Sequence, residues 1–204
     1  LDNLELASAS ILLEYVYLDD MERNKFANSN LEYIIQQTNE NIYDRNKEEF
    51  SNCEIDFSNS IKELYWYVQP RQILYKDNYQ IPELFKFCNW NIIPYKAISQ
   101  VNLELNHLDM FIENVDNNYF NYVIPFKYLT NQIPEGVNYY TFSLYPEEAQ
   151  PSGTCNFSSI KIKFLKLIYN TDFYNEINAV RICVIGRNYN ILNINKGRAT
   201  LIFN

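Results

Sequence analysis

The chain has 204 residues, a formal net charge of −8 and a hydrophobic fraction of 47%, enough for a sizeable core and too acidic to hold nucleic-acid phosphates or an anionic lipid surface directly. No apolar run approaches the roughly 20 residues that cross a bilayer as a helix, and no basic, apolar leader stands at the start. Cys53, Cys88, Cys155 and Cys183 lie far apart with no Cys-x-x-Cys pair, which suits reduced, buried thiols of a cytosolic protein and no zinc site.

Ile11–Leu18 alternates and is rich in β-formers, so a strand is expected there. Asp19 with Glu22 three residues on is a capping-box pattern and predicts a short helix over Asp20–Asn28. Leu31–Thr38 reads as a strand and the polar stretch Asn39–Ser51 as a loop. Cys53, Ile55 and Phe57 alternate with polar residues, and Leu64, Trp66 and Val68 share one face of a strand that Pro70 ends. From Pro70 to Gln100 periodicity is lost, but Leu84-Phe85, Phe87 and Trp90 are apolar, as in a long loop with its own anchors. Val101–Leu105, Tyr119–Phe126, Tyr139–Tyr145, a strand opened by Ile160, Ile162 and Phe164, then Val180–Val184, Tyr189–Ile194 and Ala199–Phe203 complete the strands. About nine or ten strands and one short helix imply an all-β antiparallel sandwich.

Tyr140-Thr-Phe-Ser-Leu-Tyr-Pro-Glu-Glu-Ala-Gln-Pro-Ser-Gly-Thr-Cys-Asn-Phe-Ser158 is more specific. It closely resembles a signature of the major capsid proteins of nucleocytoplasmic large DNA viruses, with Ala149 where that family usually carries His. Three further stretches resemble the family in the same order: Tyr15–Ala27, Ile61-Lys-Glu-Leu-Tyr-Trp66 and Arg187-Asn-Tyr-Asn-Ile-Leu192. The stretch Pro70–Gln100 matches nothing in the family pattern, and Asn195-Lys-Gly-Arg-Ala-Thr200 stands where the family is richer in glycine.

The resemblance implies an eight-stranded antiparallel jelly-roll sandwich with long inter-strand loops and one short helix near the N-terminus. It is the C-terminal half of a double jelly roll. Residues 1–30 are then the last strand of a preceding jelly roll plus a connector helix, and residues 31–204 the second jelly roll. The chain opens on Leu1, in keeping with a piece of a longer polypeptide. The implied role is structural, not enzymatic. On the same resemblance the protein is expected to trimerise into pseudo-hexagonal capsomers that tile an icosahedral capsid, with neighbouring capsomers and minor capsid proteins as partners, an inner viral membrane nearby and assembly in host cytoplasm. Two other roles stay open: a poxvirus-like transient scaffold of the same fold, and a β-sandwich carbohydrate-binding module.

No catalytic, cofactor or metal residue is assigned. Glu147, Glu148, Ser152 and Cys155 lie close in sequence, but the only histidine, His107, is remote, so Pro146–Ser158 is expected to be a structural corner. His107 and Asp109 are two potential metal ligands without a third. Asn156-Phe-Ser158 is formally a glycosylation sequon, read as part of the corner. Lys161, Lys163, Lys166, Arg181 and Arg187 form either a basic patch for a neighbour or a solvated strand face. Tyr65, Tyr67, Tyr139 and Tyr145 lie opposite the expected core faces, as interface residues or as packing under long loops.

Overall fold

The structure, a computed structural model, describes residues 8–74, 86–90 and 93–203. In chain order these form α1 (Asp20–Asn28), β1 (Asn30–Asn46), β2 (Phe50–Glu54), β3 (Ser60–Pro70), α2 (Arg71–Leu74), β4 (Ile98–Leu105), β5 (Leu108–Asp109) and β6 (Val115–Asp116). Then come α3 (Ile124–Tyr128), β7 (Asn138–Thr141), β8 (Cys155–Asn156), β9 (Lys163–Tyr169), α4 (Thr171–Glu176), β10 (Ala179–Asn195) and β11 (Arg198–Leu201). One sheet has the order β1-β10-β3-β7, with β8 beside β3 and β11 beside β10; the other has β2-β9-β4-β5, with β6 also on β4. β1 neighbours β10 in one sheet and β2 neighbours β9 in the other, the pairing of early with late strands that two Greek keys produce in a jelly roll. The expected fold is therefore the observed one.

Two compact units emerge. Gln36–Asn190 holds β2 to β9 with most of β1 and β10; the smaller unit joins the described residues up to Ile35 with Ile191–Phe203 and so includes β11. In the larger unit Cys53, Ile55, Phe57, Leu64, Trp66, Val68, Val101, Leu103, Val180, Ile182 and Val184 are all buried, as their alternation predicts. Trp90 is buried as an anchor of the long loop; Leu84 and Phe85 lie outside the described residues. Gly186 sits against the Phe57 ring, where an added Cβ would come within 2.7 Å of two ring carbons. Gly186→Ala is thus expected to cost about 1–3 kcal/mol by overpacking, read as a lowered urea midpoint; an unchanged midpoint would contradict this contact.

The smaller unit is different in kind. Helix α1 starts as expected, with Asp19 Oδ1 accepting from the Glu22 N–H at 2.8 Å, but it buries no residue. The expected strand at Ile11–Leu18 is not formed: residues 8–19 have no strand partner among the described residues. Ile11, Leu12, Leu13, Tyr15, Val16 and Tyr17 are all exposed. A β-pattern alone does not make a strand, because the backbone donors and acceptors need a second strand to take them.

Four further expectations are corrected. Asn39–Asn46 is the second half of β1, not a loop. Several of its inward positions are polar and held by side-chain bonds, with Asn39 donating to Asn188 Oδ1 at 3.3 Å and Asn41 Oδ1 accepting from the Asp56 N–H at 3.0 Å. Tyr119–Phe126 is helical, a wide π-type turn over Tyr119–Val123 running into α3. Phe120, Asn121, Ile124 and Pro125 are its buried positions, a helical spacing, and Asp116 Oδ1 turns the chain by accepting from the Asn118 N–H at 2.8 Å. The strand expected over Tyr139–Tyr145 ends at Thr141, and Leu144 is exposed. Finally, Ile160, Ile162 and Phe164 do not form the core face of β9: Leu165, Leu167 and Tyr169 do. Phe164 and Ile168 flank Lys166 on the other face, so apolar residues occur on both, and parity is set by the ladder, which places Leu165 opposite Cys53 and Leu103.

Candidate functional site

Three of the family-like stretches meet on the outer face of the first sheet. β3 and β10 run antiparallel with a register shift at Arg187/Asn188, so that Arg187 faces Glu63 while Asn188 faces Ile61. Lys62 is the extra residue of this bulge. The bulge turns Lys62 and Glu63 away from the core, yet both side chains are only 1% exposed. Glu63 is the hub. Its Oε1 lies 3.7 Å from Lys62 Nζ and accepts from the Tyr139 hydroxyl at 3.3 Å. Its Oε2 lies 3.2 Å from an Arg187 nitrogen and accepts from the Tyr65 hydroxyl at 3.3 Å. A carboxylate has about four lone-pair positions, so this one is filled by its neighbours and has none left for a substrate proton. Burial lowers the Lys62 pKa, with Glu63 opposing that shift and Arg187 adding to it, and the Tyr189 ring lies 5.4 Å from the ammonium.

Pro146–Ser158 closes over this region as a cross-linked corner. Ser152 Oγ is 2.6 Å from Ser143 Oγ and accepts from the Tyr145 N–H at 2.8 Å. Glu147 accepts from the Thr130 N–H at 3.0 Å and its hydroxyl at 3.1 Å, tying the corner to the chain after α3. Asn156 Oδ1 accepts from the Ser158 N–H at 3.1 Å, and Ser158 Oγ from the Asn59 N–H at 2.7 Å. Glu148 is exposed. Gly153 has φ +140°, and a Cβ there would sit 2.8 Å from the Phe142 carbonyl oxygen. Gly153→Val is expected to cost more than about 2 kcal/mol, from strain plus that clash, measured as a drop in melting temperature; an unchanged Tm would mean the corner is not rigid. A pocket of about 400 Å³ lies between the corner and the charged hub, lined among others by Lys62, Glu63, Tyr65, Leu129, Glu147 and Arg187.

The other candidates separate. His107 is exposed with Nδ1 3.4 Å from Glu104, while Lys166 pairs with Glu104 at 2.7 Å and Asp109 at 3.0 Å, so both carboxylates are taken by cations. The five basic residues do not form one patch. Lys161 precedes β9, which carries Lys163 and Lys166 in one sheet, whereas Arg181 and Arg187 lie on β10 in the other, and Arg181 is bidentate to Asp44 at 3.0 and 3.1 Å. Of the tyrosines, Tyr139 is fully buried, Tyr65 and Tyr67 are half-buried, and Tyr145 is exposed. Tyr139 stacks on Tyr65 of the adjacent strand at 4.9 Å and Tyr67 on Phe87 of the long loop at 4.6 Å, so packing within the chain accounts for three of the four. Cys53, Cys88 and Cys183 are buried and free, and burial pushes the thiols of Cys53 and Cys183 up to about 12 and Cys88 to about 11. At pH 8 they are therefore protonated. Iodoacetamide should modify half-buried Cys155 first and the other three only after unfolding; labelling of native Cys53 at the rate of a free thiol would contradict this.

This arrangement of strands and motifs has known counterparts. The family described as large eukaryotic DNA virus major capsid protein matches residues 22–200. The chain belongs to that family. Among capsid-family relatives, the major capsid protein of Pyramimonas orientalis virus is 27% identical over 97% of this chain and 49% of its own length. That of Paramecium bursaria Chlorella virus 1 is 25% identical over 95% and 53%. In the quasi-atomic capsid model of the latter virus, PBCV-1, a chain superposes with a TM-score of 0.74, covering 93% of this chain and 55% of its own. The Faustovirus major capsid protein shares the fold, with a TM-score of 0.66 at 12% identity. The present chain thus spans about half the length of the family members it matches along its whole extent.

Proposed function

We propose that this chain is the second jelly roll of a viral major capsid protein and that its work is mechanical: it supplies a rigid wall element of an icosahedral shell. The observation that carries this is the superposition on the PBCV-1 capsid chain over 93% of the residues, together with the family match. The chemistry agrees. The most buried charges are consumed in cross-linking β3, β7 and β10, and the family-specific corner is held by its own hydrogen bonds.

In this reading residues 1–30 contribute the last strand of a preceding jelly roll and a connector helix, and residues 31–204 the second jelly roll. The apolar, exposed stretch Ile11–Tyr17 and the coreless helix α1 support it, because such surface is stable only when covered. The complete polypeptide then forms homotrimers, each presenting six barrels as a pseudo-hexagonal capsomer in the virion, in contact with neighbouring capsomers and minor capsid proteins. No direct nucleic-acid contact and no catalysis are assigned. The test is light scattering of the purified complete polypeptide. Three copies per particle is the expected mass; a stable monomer at micromolar concentration would overturn the trimer.

A further inference from the structure

Two exposed apolar features of the larger unit differ in shape. The first is a knob, the loop between β5 and β6, and its base is fixed. The Met110 N–H donates to the Leu103 carbonyl at 2.7 Å, and the Asn102 amide to the Phe111 carbonyl at 3.4 Å. The Phe111 ring packs edge-on against Phe120 at 5.4 Å and Tyr140 at 5.7 Å. Ile112, the next residue, is nonetheless fully exposed. Glu113 beside it is exposed too, with no ion pair or hydrogen bond among the described residues.

The second is a groove of about 730 Å³, lined among others by Val123, Pro125, Phe126, Leu129, Gln132 and Ile133. Phe120 and Ile124 of the same helical run are buried, but Phe126 is 91% exposed. Glu135 is the one charged residue of the lining, and it is already held by Lys96 and the Tyr122 hydroxyl. Lys127, next to Phe126, is exposed; its ammonium stands 5.0 Å from the Tyr128 ring centre and meets no carboxylate among the described residues.

Knob and groove are complementary. Each joins one large, wetted apolar side chain to one unpaired charge, and the charges are opposite: Ile112 with Glu113, Phe126 with Lys127. A chain of net charge −8 repels its own copies, so copies meet best where the surface is neutral and a cation faces an anion. A ring of identical subunits also requires two unlike patches on each copy, because head-to-tail contacts close it. We infer that Ile112 of one copy seats in the groove against the partner subunit's Phe126, with Glu113 paired to the partner subunit's Lys127. The inference rests on the homotrimer proposed above and names a contact within it. The fixed base of the knob favours this contact, since little order is lost when it docks.

The test is disulfide trapping in the complete polypeptide. Ile112→Cys and Phe126→Cys are placed on separate copies with different tags, co-expressed, and the assembled particles are oxidised. Both positions are exposed, so the core is left intact. A disulfide joining the two tags is expected at about fivefold or more above the yield when either copy is paired with the parent, where half-buried Cys155 sets the background. Lys127→Glu on the Phe126→Cys copy should lower that yield about threefold, and Glu113→Lys on the Ile112→Cys copy should restore it. Trimers with no mixed disulfide above background would overturn the contact and leave the trimer standing. A yield indifferent to both charge changes would overturn the ion pair. A complete polypeptide that stays monomeric would overturn the trimer, and the contact with it.

Discussion

Replacing Glu63 with alanine is expected to cost the fold about 3–5 kcal/mol, the largest effect of any single change in the charged hub. Glu63 is 1% exposed and is the carboxylate that Lys62, itself 1% exposed, relies on. Arg187 is 40% exposed and can return to water, so most of the penalty comes from the Lys62 ammonium left buried without a counter-charge, and from the Tyr139 hydroxyl left without its acceptor. Glu63→Gln should fall between alanine and the parent. The double change Lys62→Met with Glu63→Leu should recover most of the loss, since an apolar pair needs no partner. Urea melts of the four proteins decide this. A Glu63→Ala midpoint within about 1 kcal/mol of the parent would show that the hub is not a structural tie.

Removing the residues before Asp19 should change behaviour in solution more than stability. Ile11, Leu12, Leu13, Tyr15, Val16 and Tyr17 are exposed, and each such side chain gains about 1.5–3 kcal/mol when a partner surface covers it. In the isolated chain that gain is available only through self-association. The truncated chain should therefore yield more soluble, monodisperse protein with an unchanged melting temperature. On the proposed assignment, a preceding domain covers these residues in the complete polypeptide, so they should be protected there from hydrogen exchange. Equal solubility with and without the segment, or rapid exchange across it in the complete polypeptide, would contradict the assignment of residues 1–30 to the domain junction.

Where one face of a strand is wet, the sequence pattern located it well. Cys53–Phe57, Val101–Leu105 and Val180–Val184 all place their apolar members in the core. Legibility failed where the deciding force leaves no hydropathy signal. The polar half of β1 is held by amide–amide bonds such as Asn39 to Asn188 at 3.3 Å. The turn at Asp116–Asn118 sends a β-rich stretch into a helix, and Pro125 falls in its first turn, where a missing N–H does no harm. In β9 apolar residues occur on both faces, and the pairing with β2 and β4 fixes parity. Of the candidate site, Lys62, Glu63 and Arg187 all lie in stretches that resemble the family. Their meeting depends on a one-residue bulge between Arg187 and Asn188 that no local pattern announces. Tyr139, read as either an interface residue or one packed within the chain, is buried and paired with Tyr65 of the adjacent strand.

The most direct measurement is the copy number of this polypeptide in purified mature particles of the virus that encodes it, by quantitative mass spectrometry. A shell-building protein of this family should be among the most abundant polypeptides there, with unique peptides on both sides of Pro146–Ser158 in equal amount. Abundance in infected cells and immature particles, with absence from mature ones, would mark a transient scaffold of the same fold and contradict the capsid role.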